Sequence, residues 1–124
     1  MPFIKTEIQD LWVVEPRIFE DDRGYFYESF NANTFNNETG LNVNFVQDNQ
    51  SKSNKGVLRG LHYQTREHAQ AKLVRVLQGS VQDVAVDLRK NSPTFGKSFS
   101  IILSGNNHKQ LFVPRGFAHG FLVL

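Results

Sequence analysis

A chain of 124 residues with 14 Lys and Arg against 12 Asp and Glu carries a formal charge of +2, is 40% apolar and contains no cysteine. That length suits one domain burying roughly two thirds of its unfolded surface, and the absence of thiols excludes a disulfide framework, a thiolate zinc site, an iron–sulfur cluster and a cysteine nucleophile. No run approaches the ~18 apolar residues of a membrane span, the opening MPFIKTEIQD lacks the apolar stretch of a signal peptide, and no cationic run exceeds Arg89-Lys90, so neither a membrane nor a nucleic acid is expected as partner and the chain is expected in the cytoplasm.

Taken in order, the apolar residues form short alternating stretches broken by Gly, Pro, Asn and Asp. Strands are predicted near Leu11–Val14, Gly24–Phe30, Val43–Asn49, Val57–Tyr63, Lys72–Leu77, Val81–Leu88, Phe99–Leu103, Gln110–Val113 and Ala118–Leu124. One short helix is predicted over Asn33–Thr39, stopped by Gly40. Turns fall at Asp22-Arg23-Gly24, Ser53-Asn54-Lys55-Gly56, Gln78-Gly79-Ser80, Asn91-Ser92-Pro93, Gly105-Asn106-Asn107 and Pro114-Arg115-Gly116. The pattern predicts one all-β domain over residues 1–124, an antiparallel sandwich or jelly roll. The closing Gly-Phe-Leu-Val-Leu stands inside an apolar strand without a polar tail, which points to a fragment of a longer chain.

Residues two apart on a strand share a face, so a polar residue among apolar ones on a core face is out of pattern. Four predicted strands show this: Phe26, Glu28 and Phe30; Val43, Phe45, Gln47 and Asn49; Lys72 with Val74 and Val76; His119 with Phe121 and Val123. Any one reads equally well as a polar strand end at the surface. Together they describe the mouth of a barrel, apolar at its closed end and polar where a ligand enters. Arg23, Arg59 and Lys72 would supply cations there, and guanidinium forks match phosphate oxygens. Of the four histidines, His68 and His108 read as exposed loop residues. His62 and His119, flanked by glycine and apolar residues, read as buried. Buried imidazoles serve as hydrogen-bonded core residues, general bases or metal ligands.

Pro114-Arg115-Gly116-Phe117-Ala118-His119 resembles the second motif of the cupin superfamily, with Val123 where an asparagine is usual. The first cupin motif supplies a His-x-His pair and a glutamate to a metal; the corresponding stretch here reads His62-Tyr63-Gln64, followed by Lys72. A cation there is a poor neighbour for a divalent ion, so a cupin without metal or other cofactor is expected, and a metal-dependent cupin oxygenase is disfavoured. The ordered blocks Asp22–Phe30, Asn44–Asn49, Gly56–Gln64, Lys72–Val76, Asp87–Arg89 with Ser92–Gly96, and Pro114–Phe121 closely resemble the dTDP-4-dehydrorhamnose 3,5-epimerase family over the whole chain. Leu58-Arg59-Gly60-Leu61-His62-Tyr63-Gln64 is the specific block.

That resemblance implies a jelly roll whose last strands and helices lie beyond Leu124. It implies epimerisation of dTDP-4-dehydro-6-deoxy-D-glucose at carbons 3 and 5. His62 would be the proton acceptor, and Lys72 would place charge beside the enolate oxygen. Arg23, Glu28, Gln47, Asp48, Asn49, Arg59 and His119 would contact the nucleotide-sugar. It also implies a homodimer exchanging N-terminal segments, and a tyrosine proton donor, a thymine-stacking tyrosine and a base-orienting aspartate beyond the chain's end, so that residues 1–124 alone would form an incomplete site. Tyr63 alternates away from His62, and Asp83 or Asp87 is a candidate for orienting an imidazole. A single-site epimerase, a ketoisomerase on a related dTDP-sugar, and a catalytically silent nucleotide-sugar-binding domain are the competing readings.

Overall fold

A computed structural model describes residues 3–63 and 70–124. Among them lie strands β1 (Phe3–Lys5), β2 (Trp12–Val14), β3 (Phe19–Asp21), β4 (Gly24–Phe26), β5 (Leu58–His62), β6 (Lys72–Arg75), β7 (Ser80–Asp87), β8 (Ser98–Ser104), β9 (Gln110–Val113) and β10 (Phe117–Val123), and helix α1 (Ala32–Thr39). Two antiparallel four-stranded sheets, ordered β1-β2-β9-β6 and β5-β10-β7-β8, make the body, and β3 and β4 pair only with each other. From β5 onward the chain crosses between the two sheets at every step except β7 to β8, the arrangement of a cupin-like jelly roll.

The sheets meet through alternating apolar residues. Val13, Leu111 and Val113 from the first sheet join Ala85, Leu103 and Phe117 from the second in one buried cluster. The other face of the first sheet presents Trp12 and Phe112, and α1 covers it with Phe35, which is 1% exposed. Phe35 is a hub, its ring 5.0 Å from that of Phe112 and 5.7 Å from those of Phe3 and Phe45. The helix forms for local reasons: the Asn31 side chain accepts from the Thr34 N–H at 3.1 Å, and Gly40 takes the left-handed conformation (φ 71°) and donates its N–H to the Asn36 carbonyl.

The segment Val43–Asn49, predicted as a strand, is irregular. At its start a side chain takes the place of a neighbouring strand: Asn36 Oδ1 accepts from the Val43 N–H at 2.9 Å and Asn36 Nδ2 donates to the Val43 carbonyl at 3.2 Å. Val43 and Phe45 still turn inward, against the Phe35 cluster. The predicted Gly24–Phe30 strand ends at Phe26, because the Ser29 carbonyl is claimed by Gln110 Nε2 at 2.9 Å and the Phe30 ring packs on Phe35 and Phe45. The three-residue β1 and β3 were too short and too polar to register as an alternating pattern.

Candidate active site

The two glycine-flanked histidines stand on neighbouring strands. β10 pairs with β5 so that His119 stands directly opposite His62, with a register shift before Phe121 meets Arg59. Cross-strand partners share a face. On the other side of β10, His119 meets Ala85 and Phe117 meets Asp87, and Ala85 and Phe117 both belong to the inter-sheet core. His62, Arg59 and His119 therefore lie on the inner face of the second sheet. Lys72 pairs with Val113, and Val74 with Leu111, which places Lys72 on the inner face of the first sheet at the end of its apolar row. An imidazole pair and an ammonium group thus come from opposite sides of one inter-sheet space.

The register shift depends on two glycines in contact. A Cβ on Gly60, whose φ is 114°, would lie 2.6 Å from the Gly120 Cα, and one on Gly120 would lie 2.6 Å from the Arg59 carbonyl oxygen. Only a pair without side chains lets β5 and β10 approach this closely where His62 and His119 meet.

The two histidines differ in environment. His119 is buried, and its Nε2 lies 2.9 Å from both oxygens of Asp83, which is fully buried. Of the two carboxylates weighed as orienting groups, Asp83 takes that role, and it does so for His119. Asp87 instead binds Arg89, Ser92 and Thr94. Burial alone would raise the Asp87 carboxyl; the side chains of Arg89, Ser92 and Thr94 and the Arg89 N–H outweigh it and hold the group well below the usual carboxylate range. The signal for both was present in the sequence: Val81, Asp83, Ala85 and Asp87 alternate on one strand, two carboxylates on an apolar face.

His62, expected buried, is exposed. The reason is its place in the sheet: β5 is an edge strand paired only with β10, so nothing among the described residues covers its far side. Lys72 is half-buried and Arg59 exposed, its Nε donating to Ser53 Oγ at 2.9 Å. The enclosed pocket expected here is therefore not closed at His62, where the sheet face is open to solvent. Tyr63 follows β5 and is also exposed, while Gln64 and His68 lie outside the described residues.

Among the described residues, no hydrogen bond or ion pair joins the remaining candidates to His62, His119 or Lys72. Arg23 sits at the β3–β4 turn, exposed, with its guanidinium on Asp21 at 2.6 Å; the pairing holds the Asp21 carboxyl below its ordinary value and Arg23 above its own. Glu28 is exposed and accepts from Asn31 Nδ2 at 3.4 Å. Gln47, Asp48 and Asn49 are exposed in the irregular segment before β5, with Gln47 Nε2 donating to Asn49 Oδ1 at 3.2 Å. His108, expected to be an exposed loop residue, is half-buried against two tyrosines. Among the described residues no three His, Asp or Glu side chains converge as a metal site, and no helix is long and apolar enough to cross a membrane.

Comparison with known proteins gives a family match over nearly the whole chain. Residues 5–124 match the model of the dTDP-4-dehydrorhamnose 3,5-epimerase family. The chain is 59% identical over 124 residues to the dTDP-4-dehydrorhamnose 3,5-epimerase of Escherichia coli K12, covering all of this chain and 67% of that protein. The crystal structure of the enzyme of that name from Elizabethkingia anophelis superposes with a TM-score of 0.96 at 60% identity, covering 100% of this chain and 68% of that one. A Legionella pneumophila epimerase, solved in complex with dTDP-4-keto-L-rhamnose, gives 0.93 at 54% identity, covering 99% of this chain and 65% of that one. The chain thus spans about two thirds of the length of these relatives. Across that span, the chain belongs to the dTDP-4-dehydrorhamnose 3,5-epimerase family.

Proposed function

We propose that this chain carries the epimerisation of dTDP-4-dehydro-6-deoxy-D-glucose at carbons 3 and 5, giving dTDP-4-dehydro-L-rhamnose by proton transfer through an enolate. The observation that carries the reading is the register that sets His62 opposite His119 on a face turned toward the sheet bearing Lys72. A proton beside a ketone is weakly acidic, and removing it calls for a positioned base and for positive charge where the oxygen becomes negative. In this reading His62 takes the proton, and its exposure at the sheet edge leaves the imidazole open to a ligand. Lys72 stabilises the enolate oxygen. His119, fixed by Asp83, orients the sugar.

Arg59 and Arg23 grip the diphosphate, and Glu28, Gln47, Asp48 and Asn49 complete the nucleotide-sugar contacts. Inversion also requires a proton returned to the opposite face of the sugar. We further read the protein as a cytoplasmic homodimer whose β3–β4 hairpin reaches the partner's cleft. The exposed apolar residues Phe19, Tyr25 and Phe26 on the hairpin, and Leu58 and Leu61 on β5, support a second copy covering them.

Incubation with the 4-keto nucleotide-sugar in heavy water, followed by NMR, tests the reading. Deuterium at both carbons flanking the ketone is expected. Deuterium at one carbon would replace it with a single-site epimerase, and none at either with a silent binding domain. Exhaustive chelation and repurification should leave the exchange rate unchanged; stoichiometric iron, nickel or manganese surviving the procedure would contradict a metal-free mechanism.

A further inference from the structure

The hairpin β3–β4 leaves the body of the protein with all six of its strand residues exposed, and its strands bond only to each other. A two-stranded ribbon of this kind has little stability of its own, so its direction must be set from outside. Three consecutive residues at the end of the β8–β9 turn reach it at three points. The His108 ring lies 4.7 Å from that of Tyr25 and 5.0 Å from that of Tyr27, and the two tyrosines stack on each other at 6.0 Å. Lys109 Nζ lies 3.4 Å from Glu15 Oε1, on the segment leading into the hairpin. Gln110, 1% exposed, donates to the Ser29 carbonyl on the segment leading out of it.

The turn that carries these residues is itself tied down. The Asn107 side chain accepts from the backbone N–H groups of Ser104 and Lys109, at 3.1 and 3.0 Å, and donates to the Ile102 carbonyl at 2.9 Å. His108 is held in the left-handed region, at φ 55°, where a non-glycine residue is uncommon. Its N–H donates to the Ser104 carbonyl at 3.2 Å. The His108 ring is thus presented to the tyrosines from a fixed backbone.

We propose that His108 is a positioning residue: with Lys109 and Gln110 it fixes the hairpin that carries Arg23 at its turn, and so sets nucleotide-sugar affinity without touching the ligand. The proposal rests on the reading of Arg23 as a diphosphate contact. Lys109 and Gln110 hold the two roots of the hairpin, and His108 holds the returning strand nearest the turn. Of these three contacts, removing the imidazole takes away the one that lies nearest Arg23 along the chain while leaving both roots attached.

The test compares wild type, His108→Ala, His108→Phe and Arg23→Ala in two measurements. Without ligand, His108→Ala should speed amide hydrogen exchange over residues 19–26 at least tenfold and leave β7 and β10 unchanged; equal exchange in the hairpin overturns the proposal. In calorimetric titration with dTDP, His108→Ala should weaken binding about five- to tenfold, and His108→Phe, which keeps a ring against both tyrosines, should return it to within twofold of wild type. If Arg23→Ala weakens dTDP binding and His108→Ala does not, the positioning role is wrong. If Arg23→Ala leaves binding unchanged, the diphosphate reading of Arg23 fails, and the link from clamp to affinity fails with it.

Discussion

Asp83 and His119 form a buried pair whose energetics can be separated by a double-mutant cycle. Asp83 is fully buried, His119 is 8% exposed, and both carboxylate oxygens lie 2.9 Å from Nε2. Asp83→Ala leaves an imidazole nitrogen in the core without its partner, a cost of about 1–3 kcal/mol. His119→Ala strands the buried Asp83 side chain, and removing one partner of a buried pair costs about 3–5 kcal/mol. The double variant removes both polar groups and keeps only the cost of the cavity. It should therefore be more stable than the sum of the single losses predicts, by about 1.5–3 kcal/mol. Urea unfolding followed by the fluorescence of Trp12, the sole tryptophan and a buried one, measures all four proteins. Losses that add to within about 0.5 kcal/mol would refute the reasoning, because residues that hold each other in place do not contribute independently.

Other expectations follow from the same structure. Because the Asp87 carboxyl is held below its ordinary range by Arg89, Ser92 and Thr94 against the opposing effect of burial, the folded state binds its proton less readily than the unfolded chain does. Its stabilisation is then complete above about pH 4 and is lost as the pH falls below that value. Asp87→Asn should lower stability at neutral pH by about 3 kcal/mol and flatten the loss below pH 4; urea midpoints from pH 7 to 2 that keep the wild-type slope would contradict this. Phe35→Ala empties the hub between α1 and the first sheet and should cost about 3–5 kcal/mol, a fall of roughly 10–20 °C in Tm by calorimetry. A fall under about 5 °C would mean that the helix does not depend on that ring.

Much of this fold was legible because its core is built by alternation. Strands β7 and β8 follow from alternating apolar residues, β2 and β9 from short continuous apolar runs, β5, β6 and β10 from apolar stretches bounded by turn residues, and α1 from an asparagine cap and Gly40. The failures share a physical cause. Val43–Asn49 has a strand's pattern, but the Asn36 side chain takes both backbone groups of Val43, and such a side-chain partner leaves no trace in the alternation. His62 has the neighbours of a buried residue, yet whether its strand is central or at an edge depends on pairings that sequence spacing does not encode. His108 looked like a turn residue and is one; its aromatic partners lie more than eighty positions earlier. For the candidate site, the polar residues on core faces were a sound guide to His119 and Lys72, and the same test applied to β7 points to Asp83. The contributions of Arg23, Glu28 and Gln47–Asn49 rest on family resemblance, because among the described residues no hydrogen bond or ion pair joins them to His62, His119 or Lys72.

The claim that everything else depends on is that the His62 imidazole removes a proton from carbon beside the ketone. The most direct measurement is the initial rate of deuterium entry from heavy water into the 4-keto nucleotide-sugar, with wild type and His62→Asn compared at equal ligand saturation. The account predicts entry at the flanking carbons with wild type and a loss of at least about a hundredfold in the variant, with dTDP binding retained. Exchange that continues undiminished without the imidazole would contradict it.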